Sequence, residues 1–257
     1  MNTVPENEPA SPDTTLHAFR RVEHWIFDLD NTLYPADCHL FSQIDARMAS
    51  FIEERLSVPS DQARKIQKEY YVRYGTTLNG LMTEHRLPPS DFLDYVHDID
   101  VSVVTPNQAL RDHIEALPGD RFIFTNGTVA HAERVLGRLG LADLFNDIVD
   151  IEASAYTPKP HRSAYELFLD RTNSEPNASA MFEDISHNLT EPHALGMTTV
   201  LVASDAEWMN DEPADKRPAR AKDTLSGKLD PHIHHVTDDL SAFLGRIRTT
   251  LGSTDAK

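Results

Sequence analysis

The sequence contains a single cysteine, Cys38, among its 257 residues. One cysteine cannot form an internal disulfide, and this scarcity fits a reducing cytosol. No apolar run approaches the length of a membrane span. Residues 1–16 are rich in Pro, Glu, Asp and Thr and lack the apolar core of a signal peptide. We therefore expect a cytoplasmic protein that has no membrane-spanning segment.

Basic residues are also few. The 24 Lys and Arg residues stand against 41 Asp and Glu, which gives a formal net charge of −17 at pH 7. Because nucleic acids and anionic membranes are bound by clustered Lys and Arg, both are disfavoured as partners. A small phosphorylated substrate is not excluded, since a metal ion and one or two cations can reverse the electrostatic field locally.

The remaining patterns predict an α/β protein with an inserted helical block. Residues 1–19 have the composition of a disordered tail. Residues 20–34 and 106–250 alternate short apolar strands with amphipathic helices, which predicts a Rossmann-like core: a parallel sheet of about six strands with helices on both faces. Residues 35–105 have helical periodicity and no convincing strand, so we expect a helical cap there. Residues 205–231 are charged and Pro-rich, which predicts a flexible loop within the core.

The first predicted strand ends in two acids, Asp28 and Asp30. On a continuing strand both side chains would point the same way, because side chains alternate with period two. Two like charges held so near each other repel strongly unless a cation lies between them or one of them takes a proton. This stretch therefore predicts a hard-cation site, an acid–base pair, or both. The alternative is an ordinary acidic helix cap at Asp30 or Asn31.

Two later turns carry groups that suit a bound anion. Thr125 and Asn126 follow the second strand of the core and offer a hydroxyl and an amide beside a helix N-terminus. Lys159 stands between two prolines, which restrict the backbone and so help to aim its charge at a phosphate. Taken singly, each could be an ordinary turn or a solvated lysine.

A third turn is acidic again. Glu183 and Asp184 end an apolar strand, and Asn188 follows shortly after. Carboxylate and amide oxygens of this kind suit Mg²⁺, which takes one or two carboxylates together with waters and substrate phosphate. Because the carboxyl ends of parallel strands share one edge of the sheet, the three turns and the Asp28–Asp30 pair would meet there. Together they predict a phosphoryl-transfer site.

These residues resemble the haloacid dehalogenase superfamily, and the resemblance runs from Trp25 to about Leu244. It is carried by four motifs in order, Asp28–Thr32, Thr125–Gly127, Lys159, and Glu183 and Asp184 with Asn188. Further stretches, Thr32–Pro35, Tyr74–Leu78 and His234–Leu240, are similar to the pyrimidine 5′-nucleotidase group of that superfamily. The fourth motif usually begins with two aspartates in that group, whereas Glu183 stands first here.

The resemblance implies a role for each motif residue. Asp28 would attack phosphorus to give an aspartyl-phosphate, and Asp30 would act as the acid and base. Mg²⁺ would be held by Asp28, Asp184 and the Asp30 carbonyl, with Glu183 and Asn188 supporting these ligands. Phosphate would be bound by Thr125, Asn126 and Lys159. Candidate cap residues for choosing the substrate are Arg47, Tyr74, Thr76 and Thr77.

The implied function is Mg²⁺-dependent hydrolysis of nucleoside 5′-monophosphates, pyrimidine ones in particular. An alternative keeps the chemistry and takes another small metabolite, such as a sugar phosphate or phosphoglycolate. Family dehalogenases lack the second aspartate, so Asp30 argues for phosphoryl chemistry. A phospho-accepting receiver domain is disfavoured by the cap-sized insert and by Asp30. A catalytically silent binding protein is disfavoured because no motif position is lost.

Overall fold

A computed structural model describes residues 14–206, 220–225 and 229–252. Six parallel strands form one sheet in the order β3-β2-β1-β4-β5-β6. Their bounds are β1 His24–Phe27, β2 Asp120–Phe124, β3 Asp147–Val149, β4 Ser179–Glu183, β5 Thr198–Val202 and β6 His235–Thr237. The expected Rossmann-like architecture of about six parallel strands is therefore confirmed.

Alternate residues of the central strand supply the cores on the two faces of the sheet. Trp25 and Phe27 join one hydrophobic cluster and Ile26 joins the other. Because β1 is buried on both faces, its sequence is a nearly continuous apolar run. The helices that follow the cap are α5 Gln108–Glu115, α6 Val129–Leu139, α7 Arg162–Thr172, α8 Thr190–Leu195, α9 Ala221–Thr224 and α10 Leu240–Gly252. No helix in the described ranges is both long and apolar enough to span a membrane.

The register of the strands brings the functional turns together. Phe27 pairs with Ile123 of β2 and with Phe182 of β4. The residue after Phe27 is Asp28, whose backbone N–H donates to the Phe182 carbonyl at 2.9 Å. Asp28 therefore lies between the carboxyl ends of β2 and β4, at the point where the strand order reverses. Ligands of open α/β sheets bind at such a switch point.

The segment between β1 and α5 is helical, as its periodicity predicts. It contains α1 Leu40–Leu56, α2 Ser60–Tyr74, α3 Thr77–His85 and α4 Pro89–His97. Thr76 caps α3 by accepting a hydrogen bond from the Asn79 N–H at 3.1 Å, and Pro89 occupies the first turn of α4, where a missing N–H is tolerated. These four helices form the cap over the carboxyl ends of the strands.

The prediction of a disordered tail over residues 1–19 is wrong from Thr14 onward. A 3-10 helix spans Thr14–Arg21, and its Leu16 and Phe19 are only 2% and 1% exposed. Phe19 stacks on Trp25 with ring centroids 6.0 Å apart. Two apolar side chains three residues apart bury this turn against the sheet, an effect that tail-like composition hides. Residues 1–13 lie outside the described ranges.

The predicted loop at 205–231 is corrected in one part. Ala221–Thr224 forms the short helix α9, and the Ala221 side chain is buried. Residues 207–219 and 226–228 lie outside the described ranges, so the expectation of a flexible loop there stays a prediction.

Candidate active site

Lys159 is the centre of the charged groups at the strand ends. Its ammonium donates to Asp28 Oδ1 at 2.6 Å, to Glu183 Oε2 at 2.7 Å and to the Phe124 carbonyl at 2.8 Å. The lysine is buried, and its backbone N–H donates to Asn126 Oδ1 at 2.9 Å. Acceptors from the ends of three strands, β1, β2 and β4, thus converge on the single ammonium group of Lys159.

Three buried acids surround this lysine. Carboxylate oxygens of Asp28, Glu183 and Asp184 all lie within 4.8 Å of one another. Burial and the charge of Glu183 raise the pKa of Asp28 to about 7, although Lys159 opposes the shift. The same two causes raise the pKa of Asp184 well above its usual value. Because one ammonium does not balance three carboxylates, this cluster has the charge and the oxygen donors to hold a metal ion.

Glu183 is fixed through both of its oxygens. Oε2 contacts Lys159, and Oε1 accepts a hydrogen bond from Asn188 Nδ2 at 3.0 Å. The Asn188 carbonyl in turn accepts from the Tyr165 hydroxyl at 2.6 Å. Asn188 therefore fixes the orientation of Glu183, which is itself one of the three acids.

The turn after β2 faces the same space. The buried Thr125 hydroxyl oxygen accepts a hydrogen bond from the Gly127 N–H at 2.9 Å. Thr128 caps α6 by accepting from the His131 N–H at 3.2 Å. The Thr125 hydroxyl and the Asn126 backbone N–H, beside this helix N-terminus, can receive an anion. Thr125, Asn126 and Gly127 line the cavity above the acids.

Asp30 occupies a separate environment in the turn after β1. Its Oδ1 accepts hydrogen bonds from the Tyr34 hydroxyl at 2.6 Å and from His131 Nε2 at 2.9 Å. Burial alone would raise the pKa of Asp30, but the charge and hydrogen bond of His131 and the bond from Tyr34 outweigh it and lower this pKa. Nothing in the sequence pattern singled out His131, because its contact spans 101 positions.

A cavity of about 160 Å³ lies between the strand ends and the cap. Its apolar wall comes from α1 and α4, through Phe41, Ile44, Met48, Phe92, Leu93 and Val96. Polar side chains from α1, α2 and the start of α3 also line it, namely Asp45, Gln67, Lys68, Tyr71, Thr76 and Thr77. The predicted residues Asp28, Asp30, Thr125, Asn126, Lys159, Glu183, Asp184 and Asn188 all line the floor of this cavity.

Arg47 and Tyr74 do not line the cavity, so the structure does not support them as substrate-contacting residues. Arg47 donates from Nε to the Tyr95 carbonyl at 2.6 Å and lies 4.3 Å above the Tyr95 ring. The side chains of α1 that line the cavity are at positions 41, 44, 45 and 48, and Arg47 is not on that face of the helix.

Tyr74 is turned away by a neighbouring helix. Its hydroxyl donates to the Glu84 carboxylate of α3, and its ring packs edge-on against Tyr70. Tyr71, three residues earlier on α2, lines the cavity instead. The rotation of α2 about its own axis decides which of the two tyrosines faces the cavity. Helical periodicity in the sequence does not give that rotation.

The comparisons with known proteins agree with this geometry. A family model described as haloacid dehalogenase-like hydrolase matches residues 22–190. Phosphate metabolism protein 8 of Saccharomyces cerevisiae is 27% identical over 196 residues, which cover 69% of this chain and 60% of the yeast protein. The chain thus matches less than two thirds of the length of this curated relative.

Solved structures share the fold at low identity. The magnesium-bound hydrolase YfnB of Bacillus subtilis has a TM-score of 0.55 at 14% identity, covering 88% of this chain and 99% of that one. CbbY of Rhodobacter sphaeroides in complex with phosphate has a TM-score of 0.55 at 15% identity, covering 86% and 95%. The L-2-haloacid dehalogenase of Xanthobacter autotrophicus has a TM-score of 0.53 at 18% identity, covering 88% and 98%. At these identities the likeness establishes the fold.

Proposed function

Because this chain belongs to the haloacid dehalogenase-like hydrolases, we propose that it hydrolyses small phosphomonoesters, with nucleoside 5′-monophosphates as preferred substrates and pyrimidine ones first among them. One observation carries the proposal. Asp28 and Asp30 come from the same strand end, yet Asp28 is paired with Lys159 whereas Asp30 is bonded to Tyr34 and His131. Two carboxylates held in different environments suit two different tasks.

Asp28 is the nucleophile. One oxygen contacts Lys159, and the other accepts a hydrogen bond from the Thr32 hydroxyl at 3.1 Å, so the carboxylate is held in one orientation. Attack on phosphorus forms an acyl phosphate and breaks the bond to the leaving oxygen. Water then cleaves the acyl phosphate and restores the carboxylate.

Asp30 handles the protons of both steps. It gives a proton to the departing alkoxide and later takes one from the attacking water, so that the cycle ends where it began. In the free protein its hydrogen bonds favour the charged form. A phosphate dianion beside it opposes that effect, because a neighbouring like charge favours the protonated carboxyl.

The three-acid cluster suits Mg²⁺, which would be held by Asp28, Asp184 and the Asp30 carbonyl, with Glu183 and Asn188 supporting these ligands. The raised pKa values of Asp28 and Asp184 mark an excess of buried negative charge that a divalent cation would relieve. When bound, the metal supplies positive charge that offsets repulsion between a carboxylate and a phosphate. The magnesium reported in the YfnB structure agrees with this choice.

Thr125, Asn126 and Lys159 would receive the phosphate. They bring a hydroxyl, a backbone amide at a helix N-terminus and a buried ammonium to the lining of the same cavity. The phosphate in the CbbY structure and the phosphate-related name of the yeast relative are consistent with this proposal.

The cap favours a leaving group with a flat apolar face and polar edges. Apolar side chains, such as Phe92 and Met48, line the cavity together with polar ones, Gln67, Lys68 and Tyr71. A nucleobase matches both kinds of side chain, since it offers a stacking face and edges that form hydrogen bonds. A sugar phosphate or phosphoglycolate would use the polar side chains and leave the apolar ones uncovered, which makes these the alternative substrates.

A phosphate-release screen tests the proposal. Nucleoside 5′-monophosphates, sugar phosphates and phosphoglycolate are assayed with Mg²⁺ and with a chelator, and Asp28→Asn protein serves as the blank. We expect metal-dependent release that is fastest with pyrimidine nucleotides. Release from no ester would overturn the enzyme assignment, whereas a preference for sugar phosphates would overturn the nucleotide assignment alone.

A further inference from the structure

Two hydrogen bonds converge on one oxygen of Asp30. Oδ1 accepts from the Tyr34 hydroxyl and from His131 Nε2, and no hydrogen bond in the described ranges reaches Oδ2. Tyr34 comes from the same turn as Asp30, whereas His131 comes from α6, the helix that follows β2. Donors from two directions restrict rotation of the carboxylate about both of its side-chain torsions. The unbonded Oδ2 is then the oxygen left for a reacting group in the cavity.

His131 is itself held tightly. Its side chain is fully buried, and its ring stacks on that of His97 with centroids 4.5 Å apart and an interplanar angle of 15°. His131 Nδ1 has no hydrogen-bond partner among the described residues. Among the described residues, the imidazole ring of His131 therefore forms its hydrogen bond with Asp30. The stack with His97 fixes the plane of the ring.

His97 is the last residue of the cap helix α4. The backbone of His97 is held by hydrogen bonds from α6. Arg134, one turn after His131, donates to the carbonyls of His97 and Ile99 at 2.7 and 2.5 Å. The Thr128 hydroxyl at the start of α6 contacts His97 Nδ1 at 3.3 Å. One face of α6 therefore joins the returning end of the cap to the carboxyl group of Asp30.

From this geometry we infer that His131 and Tyr34 are positioning residues that hold Asp30 with Oδ2 directed at the leaving group, and that His97 of the cap keeps His131 in place. The inference deepens the proposed function and rests on it only where Asp30 transfers a proton. Neither side chain touches the phosphate site formed by Lys159 and Thr125 in the described contacts. Their effect should therefore depend on how much the leaving oxygen needs a proton.

Leaving-group dependence separates this role from a merely structural one. An alkyl ester such as uridine 5′-monophosphate expels a basic alkoxide that needs protonation, whereas p-nitrophenyl phosphate expels a stable phenolate. Misplacement of a catalytic group by 1 Å can cost about 10²-fold. For His131→Leu we expect first-turnover uridine release to fall roughly 10²-fold and the nitrophenolate burst to change less than about threefold.

Two further variants sharpen the kinetic test. His131→Gln keeps a donor near the place of Nε2, so it should recover most of the uridine burst that His131→Leu loses. Tyr34→Phe removes the second donor with little change of shape and should give the same pattern, with a loss of about tenfold. An equal loss on both esters, or no rescue by Gln, would overturn the positioning role.

Crystal structures of the same proteins give a readout that does not need turnover. We expect the Asp30 carboxylate to rotate or to occupy several conformers in His131→Leu, and to keep its orientation in His131→Gln. An unmoved Asp30 in both His131→Leu and Tyr34→Phe would overturn the inference, even if the wild-type enzyme hydrolysed no ester. Failure of the proposed function and failure of this inference are thus distinguishable.

Discussion

The floor and the roof of the cavity differ in how their side chains are held. On the floor, Asp28 and Glu183 are buried, and each accepts a hydrogen bond from the buried Lys159, at 2.6 and 2.7 Å. On the roof, the lining side chains of α1 and α4 are mainly apolar and make contact by packing. The floor is a network that fixes charges, while the apolar side chains of the roof carry no charge and offer a packing surface.

Under the proposed function, we expect this difference to divide the work of the site between the two regions. Rigid charged groups stabilise the transition state of phosphoryl transfer whatever alcohol is leaving. Packing surfaces distinguish one leaving group from another through differences in binding. Substitutions in the floor should therefore lower the rate with every ester, and substitutions in the roof should change which ester is preferred.

Asp28→Asn should have the largest effect. An amide cannot form the acyl phosphate, so we expect turnover of all esters to fall by roughly 10⁴-fold or more and acid-stable phosphoenzyme to disappear. Thermal unfolding provides the control. Because burial raises the pKa of Asp28 to about 7, its charge disfavours the metal-free fold, and the variant should unfold at the same temperature or higher. Near-normal turnover would refute the nucleophile assignment.

Lys159→Met should affect stability as well as activity. The substitution leaves Asp28 and Glu183 buried without their cation, which typically costs about 3–5 kcal/mol. We expect a loss of that size in urea unfolding of the metal-free protein, with Mg²⁺ restoring part of it, and a lower turnover rate with every ester. An unchanged free energy of unfolding would show that Lys159 does not neutralise these acids.

The floor was predictable from the sequence because strand register decides it. An apolar run that ends in Asp28 identifies a buried strand, and parallel pairing of Phe27 with Ile123 and Phe182 brings the next turns to the same edge. Each later turn supplied its own residues, so four local patterns were enough to assemble one site. The parallel arrangement of the strands then places these turns at one edge of the sheet.

The roof and the Asp30 contacts were not predictable in the same way. Whether Tyr71 or Tyr74 faces the cavity depends on the rotation of α2 against α3, where the Glu84 contact holds Tyr74 aside. His131 reaches Asp30 across 101 positions from a helix whose pattern gives no sign of it. Side-chain contacts between packed elements have no local signature, and this is also why the burial of Phe19 was missed.

Tyr71→Leu should change substrate preference and leave the chemistry intact. If Tyr71 stacks on the base, its loss removes about 1–3 kcal/mol of binding, so we expect KM for pyrimidine nucleotides to rise roughly tenfold. The rate of phosphoenzyme formation at saturation should stay the same, and so should kcat/KM for a small ester such as phosphoglycolate. An equal decline with both esters would mean that the variant disturbs the floor and that the two regions are not independent.

Tyr74→Leu is the matched control and should have the smallest effect. Tyr74 lies one turn after Tyr71 on the same helix, but its hydroxyl is bonded to Glu84 outside the cavity. We expect kcat and KM for nucleotides and for phosphoglycolate to stay within about twofold of the wild type, since surface substitutions away from a site change little. If KM for nucleotides rose as much as in Tyr71→Leu, the end of α2 would have to close over the base during turnover. The roof would then be a moving part that orders around its substrate, and its difference from the rigid floor would be larger than the structure shows.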